Sequence, residues 1–312
     1  MITRREMIAG SVGALTLSEI APSRDKRSIV PAGGPPNELI ALPGKKPLIK
    51  RTYRPPNFET PLADLRSPFT ANEAFFVRYH LALIPEVDLR TWRLRVGGGA
   101  AISMREWSLE ELERDFEQVS IAAIAQCSGN RRGLFAPRVP GVQWQYGAMG
   151  SAVWTGVRLC DVLNKAGVRG NAIEVVFDGA DGPVLPSTPD FAKSLPIDRA
   201  LDENTLIASR MNGARLPHWN GAPARLVVPG WTATYWVKHL TGIRVEPQAF
   251  DGFWMARAYR VPTGAFPDSA PFASQQAPES VPITDILVNS LVTSHVSGDR
   301  LAHGRPTVLR GS

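Results

Sequence analysis

Ile121-Ala122-Ala123-Ile124-Ala125-Gln126-Cys127-Ser128-Gly129-Asn130-Arg131-Arg132 runs a short apolar stretch directly into a cysteine, a glycine and two arginines. The run over 121–125 has the length and composition of a buried strand, and Gly129 permits a tight turn behind it. A strand ending at Cys127 puts a thiol at the rim of a sheet, inside a loop made electropositive by Arg131 and Arg132. Adjacent cations favour the thiolate, which is both the nucleophilic form and the soft metal ligand. Three readings of Cys127 follow from these residues alone: a nucleophile, a metal ligand, or an inert buried cysteine. A nucleophile needs a base, and His80, His218 and His239 are available without a local signature for that role.

Working outward, the apolar residues at 73–77 read as a short strand that delivers Arg78, Tyr79 and His80. Residues 92–96 alternate like a half-buried strand before three glycines. Ser108-Leu109-Glu110-Glu111 is a capping box that opens a helix. Residues 157–166 have helical spacing up to Gly167. Residues 173–177, 225–228 and 237–245 read as further core strands, the first broken by the turn at 178–182. The segment 28–60 is rich in Pro, Gly and Lys without periodicity, so a linker or wrapping arm is expected there. Together these patterns predict an α+β class of mixed sheets and short helices.

The chain has 312 residues, 44% hydrophobic and 21% charged, with 27 Gly and 27 Pro, enough for a sizeable core in a loop-rich fold. Its formal net charge of +6 is scattered rather than clustered, which argues against nucleic acid and allows a small anion or an acidic partner. Two cysteines are too few for a disulfide framework or a structural zinc site, and no haem-attachment motif occurs. No apolar stretch is long enough to span a membrane. Arg4-Arg5 ahead of the weakly apolar run 7–17 reads as a twin-arginine export signal over 1–27, which implies a periplasmic location.

Further tracts join Cys127-Ser128-Gly129-Asn130-Arg131-Arg132 in one ordered set. They are Phe75-Phe76-Val77-Arg78-Tyr79-His80, Trp144, Gly147-Ala148-Met149 and Trp154-Thr155-Gly156-Val157, then Asn212-Gly213, the run 220–230 and Val237-Lys238. In order and spacing this set resembles the sulfite oxidase family, over about 57–262, and the tracts around Cys127 and 231–236 are most similar to bacterial periplasmic sulfite dehydrogenases. The resemblance implies a molybdopterin-binding domain over 61–265 and a molybdenum–molybdopterin cofactor with Cys127 as the metal ligand. It implies catalytic roles for Arg78, Arg132 and Tyr259, with Trp144 on the pocket wall. Cofactor contacts are implied for Arg78, His80, Asp181, Asn220, Arg225, Trp236, Val237 and Lys238. Paired guanidinium donors suit a small oxyanion such as sulfite, and a phenol can donate a hydrogen bond while water becomes the new oxygen of sulfate. Arg225, Lys238 and Asp181 also admit the plainer reading of surface ion pairs.

The activity so implied is molybdenum-dependent oxidation of sulfite to sulfate, with electrons passed to an external c-type cytochrome. Alternatives are another oxidoreductase of the same fold, acting on sulfane sulfur, a sulfoxide or nitrate, or an inactive remnant without cofactor. Two departures stand out: Asn220 where relatives carry His, and Tyr79 where Asn is common. Residues 283–292 alternate like the first strand of an immunoglobulin-like dimerisation domain, of which 275–312 would hold only the beginning; a complete sandwich needs about seven strands. The expectation is a loosely attached tail, independent of the site, and no family-type homodimer.

Overall fold

The structure is a computed structural model that describes residues 38–263, 280–295 and 299–311. The twin-arginine segment and the start of the expected arm lie outside the described residues. The alternating and apolar runs of the sequence form three main sheets. One has the order Leu39–Ala41, Pro47–Thr52, Asn57–Glu59, Val77–Arg78. The second has the order Ala192–Pro196, Glu174–Gly179, Leu240–Glu246, Leu94–Gly97, Arg105–Trp107. The third has the order Ala214–Arg215, Leu206–Met211, Met149–Arg158, Gln118–Gln126, with Arg225–Val227 also paired to Leu206–Met211. Short helices fill the connections. Leu109–Asp115 starts at Ser108 with both hydrogen bonds of the capping box, and Leu159–Ala166 stops at Gly167 in a left-handed conformation. The α+β class of mixed sheets is thus observed.

Several expectations are corrected. The run at 121–125 is not a buried strand. It belongs to Gln118–Gln126, which pairs on one side only, so just Ala123 and Ala125 are buried and Ile124 is 48% exposed. The helix expected from 157 starts at Leu159, because Val157 and Arg158 complete the ladder of Met149–Arg158. Ile173 lies outside its strand and is exposed. The strand expected from 237 begins at Leu240, since His239 turns the backbone to φ 50°. The expected linker holds three strands, because Leu48 and Phe58 alternate onto the core of the first sheet and are fully buried.

The tail also differs. A short strand, Ser280–Pro282, pairs with Arg260–Pro262, and residues 283–292 form no ladder. They lie along the domain instead. Ile283 N–H donates to Tyr259 O, Thr232 N–H to Thr284 O, and Ile286 N–H to Gly230 O. Arg131 Nη2 donates to Asn289 Oδ1 and Ser290 O, each at 3.0 Å. The segment 283–292 is thus joined to the domain by single hydrogen bonds, with Leu287 and Val288 exposed, rather than forming a ladder, and through Ile283 and Arg131 it is not independent of the site.

The arm is tied to the Cys127 loop by a buried carboxylate. Glu59 accepts from Arg51 Nε at 2.6 Å, from Gln145 N at 3.0 Å and from Gly147 N at 2.6 Å, and both charged side chains are almost inaccessible (3% and 2% exposed). Removing one partner of such a pair strands the other in a desolvated position. Glu59→Ala should therefore lose about 3–5 kcal/mol of stability, read as a lower urea midpoint, with Glu59→Gln intermediate. A midpoint unchanged in Glu59→Ala would show that the arm is not integral to the domain.

Candidate active site

A cleft of about 640 Å³ opens where the three sheets meet. Its walls include Arg78, His80, Cys127, Asp181, Asn220, Arg225, Trp236, Lys238 and Tyr259. Nine of the residues expected from sequence are thus brought together. Cys127 arrives at the end of Gln118–Gln126 and is 7% exposed. Its loop is laced to 144–148: Cys127 N–H donates to Ala148 O, Arg131 N–H to Gln145 O, and Gly133 N–H to Trp144 O. Arg131 takes a left-handed conformation to make that turn.

Three expected residues do not line the cleft. Trp144 is fully buried in the main core, because its apolar area is better placed there than on a cleft wall. Val237 is likewise a core residue; its carbonyl accepts from Leu226 N–H. Arg132 lies against Gly129 and Gly141, outside the lining, although its charge is felt at the Tyr259 phenol. Asn220 reaches the cleft with its amide already engaged: Oδ1 accepts from Lys45 Nζ at 2.6 Å and Nδ2 donates to Phe76 O at 3.3 Å.

At one end of the cleft Arg78 Nη2 donates to Tyr259 Oη at 3.0 Å, and His80 Nε2 lies 2.7 Å from the same oxygen. An arginine can only donate, so the phenol accepts from Arg78, and with His80 as its Nδ1–H tautomer it gives its own proton to Nε2. His80 stacks on Phe191 with ring centroids 3.6 Å apart. Burial, then the charges of Arg78, Lys238 and Lys193, hold its pKa well below the ordinary range, so the imidazole is neutral and free to accept. Burial pushes the Tyr259 phenol upward, against the pull of Arg78. Tyr259 stands at φ 57°, a conformation disfavoured for a tyrosine, and Ile283 N–H holds its carbonyl at 2.8 Å.

The other end is cationic. Arg225 donates to Asn220 O and Trp236 O, both at 2.9 Å, and its Nε has no partner among the described residues. Burial lowers its pKa to about 9 and that of Lys238 well below the lysine range; a charge of opposite sign near Lys238 is Asp181, itself pushed up to about 6 by burial. Among the described residues these cations therefore lack full compensation, and Thr234 adds a buried hydroxyl without a partner.

Sequence reasoning missed four contributors. Asn57 accepts from Arg78 Nη1 at 3.1 Å and so aims the guanidinium. Lys45 holds Asn220. Phe191 stacks on His80. Lys193, fully buried, donates to Trp254 O at 2.7 Å and lies over the Tyr235 ring at 4.4 Å. Of these only Phe191, an aromatic directly after the polar, turn-rich stretch that ends at Asp190, carried any local sign.

The oxidoreductase molybdopterin binding domain family model matches residues 80–254, more than half of the chain. The chain belongs to this family. It is 34% identical over 274 residues to mitochondrial sulfite oxidase of Homo sapiens, covering 85% of this chain and 49% of that protein. It is 32% identical over 270 residues to a nitrate reductase [NAD(P)H] of Hordeum vulgare, covering 82% of this chain and 29% of that protein. The crystal structure of the sulfane dehydrogenase SoxCD from Paracoccus pantotrophus shares the fold, with a TM-score of 0.69 at 22% identity over 96% of this chain and 74% of that one. The chain spans about half the length of the sulfite oxidases it matches.

The residues present fit the molybdenum cofactor of this family. Cys127 offers the soft sulfur donor that such a centre takes. Arg225, whose Nε has no partner among the described residues, and Lys238, which donates to Trp219 O, fit a phosphate. Apolar and aromatic walls suit the pterin ring, and Asp181 can accept from its N–H groups.

Asp178, beside this end, has one carboxylate oxygen buried without a partner among the described residues. Burial, then Asp190 and Asp181, push its pKa up to about 6. A raised carboxyl pKa contributes stability that is present below about pH 4 and lost as pH rises through about 6. Asp178→Asn should match the parent at pH 4 and exceed it by about 1–3 kcal/mol at pH 7.5. Equal urea midpoints at both pH values would contradict this assignment.

Proposed function

We propose that this chain is a molybdenum-dependent sulfite dehydrogenase, exported by the twin-arginine route, that passes electrons to an external c-type cytochrome. The observation that carries the reading is the Arg78–Tyr259–His80 group, joined at the Tyr259 hydroxyl in the same cleft as Cys127. Its sulfite oxidase relatives support the substrate. In the net reaction sulfite gains an oxygen atom from water and releases two protons and two electrons. When bound, the cofactor supplies the two-electron redox chemistry and the oxygen transfer, with Cys127 holding the metal.

The chain's own groups do the rest. Arg78 is a fixed cation braced by Asn57, so an anionic substrate meets a donor fork that needs no reorganisation. Arg132 adds positive charge from the Cys127 loop. Tyr259 Oη is oriented by donation from Arg78 and holds a proton aimed at His80 Nε2. Neutral His80 can take that proton as the phenol accepts one from attacking water. Phe191 and Trp254 pack on His80 and exclude water from that exchange.

The test is sulfite-dependent reduction of ferricytochrome c by the purified chain. Cys127→Ser should abolish it with the fold intact, because a hydroxyl is a harder and weaker ligand than thiolate. Arg78→Gln should raise KM strongly, since Arg78 binds charge in the ground state, and Arg132→Gln should raise it less, its charge acting from outside the lining, whereas Tyr259→Phe should chiefly lower kcat, by about 10²–10⁴-fold. Wild-type turnover in Cys127→Ser would end the reading. Replacing Arg4 and Arg5 by Lys should leave activity in the cytoplasm; normal periplasmic activity would refute export by this route. A second reading, nitrate reduction, is favoured by the barley relative. It would replace the first if nitrate oxidised the reduced protein faster than sulfite reduced the oxidised one.

A further inference from the structure

Tyr79 and His239 stand directly behind the cationic end of the cleft, and the chemistry above uses neither. Tyr79 is 2% exposed and belongs to the cleft wall. His239 Nδ1 lies 2.6 Å from Ala222 O, a pure acceptor, so Nδ1 carries the ring proton. Nε2 is then an acceptor, and the Tyr79 hydroxyl, 2.8 Å away, donates to it. This chain of bonds fixes the phenol ring in one orientation. Trp219 packs edge-on against that ring, with centroids 6.2 Å apart.

The fixed ring serves Lys238. Lys238 Nζ sits 2.8 Å from the Tyr79 ring centroid and donates to Trp219 O at 3.2 Å. The backbone around it is equally constrained. Gly221, at φ 108°, passes so close that a Cβ there would lie 2.8 Å from the Lys238 side chain. His239 N–H donates to Gly221 O at 3.0 Å, and His239 itself is held at φ 50°. A non-glycine residue keeps such a conformation only where its surroundings over-determine it. The facing charges are Arg225, Arg78 and Lys45, which repel the ammonium, and Asp181, which attracts it. The electron-rich face of Tyr79 therefore supplies attraction that the nearby cations remove, and it does so without neutralising the site as a second carboxylate would.

We propose that Tyr79 and His239 are a positioning pair that holds the Lys238 ammonium in place to bind the phosphate group of the pterin cofactor. This rests on the cofactor reading above and extends it to residues that touch the anion only through Lys238. Tyr79 offers an electron-rich perch for the cation, and His239 keeps that perch from turning.

The full chain, purified from a host that makes molybdopterin, provides the test. Pterin per chain and its rate of loss on dilution into salt are measured by the fluorescence of the released, oxidised pterin. Tyr79→Leu should lose the pterin about tenfold faster, the change expected of a desolvated cation–π contact. Tyr79→Phe, which keeps the ring and cuts the bond to His239, should lose it about threefold faster than the parent, and a rate equal to the parent's would remove His239 from the pair. Should Tyr79→Leu not fold, phenylalanines carrying increasing numbers of ring fluorines at position 79 preserve the side chain's bulk while weakening its face. Loss rates that climb with fluorine number support the proposal. A flat fluorine series, or Tyr79→Leu retaining pterin like the parent, overturns it. A parent chain that carries no pterin would instead sink the proposed function, so the two failures are distinguishable.

Discussion

Desolvated positive charge without matching carboxylates is the constraint on which this structure depends. Arg225, Lys238, Lys45 and Lys193 are all drawn out of water, and burial pulls Lys45 and Lys193 down to about 7. Burying such groups costs several kcal/mol each unless they are hydrogen-bonded. The fold answers with dipoles and π-faces. Lys45 has the carbonyls of Asn72 and Phe75 and the amide oxygen of Asn220; Arg225 has two carbonyls and lies over Trp154 and Trp236. Neutral acceptors hold these cations in position while leaving their charge uncancelled. A ring of carboxylates would have cancelled the charge that makes this interior an anion seat.

That choice explains how distant segments come to share one cleft. The first sheet contributes Asn57 and Arg78 from adjacent strands, and the loop after Leu39–Ala41 adds Lys45. The third sheet ends in Cys127, and Glu59 binds its return loop to the first sheet. The second sheet brings Asp181 and Phe191 from either side of one hairpin. Tyr259 comes last, in a strained conformation whose carbonyl is claimed by Ile283 from the docked tail. The arm and the tail, which looked peripheral, are what orient Arg78 and Tyr259.

Much of this was legible in the sequence, for identifiable reasons. Cys127, Arg78, His80, Arg225 and Lys238 sit in tracts whose order and spacing are specific, and the structure brings them to one cleft. The capping box at Ser108 was read correctly because its bonds are local. Lys45 was not read, because in Gly44-Lys45-Lys46-Pro47 it is indistinguishable from its solvated neighbour, and its partner Asn220 is 175 positions away. Lys193 failed for the same reason. The apolar run at 121–125 suggests a buried strand, but composition does not say whether a strand has neighbours on one side or two. Alternation at 283–292 suggested a ladder, but a period of two arises equally in an extended segment lying along a surface. Trp144 shows the opposite limit: a motif residue can be essential to the core without touching the site.

The direction of the Tyr259 proton shows how charge and stacking together decide chemistry here. A phenol beside a neutral imidazole can point its proton either way, and a phenol beside an arginine can only accept. With both neighbours present the phenol proton goes to His80 when the imidazole is neutral and carries its proton on Nδ1. Its neutrality is not a property of the histidine. It comes from Phe191 lying flat on the ring, from Trp254 at its edge, and from Arg78, Lys238 and Lys193, which each disfavour a further positive charge. Arg78 thus acts twice, once by donating to the phenol and once by keeping the acceptor on its other side uncharged. Exchanging it for a neutral donor would relax both effects together, so the phenol and the imidazole would lose their defined roles even with every other atom in place.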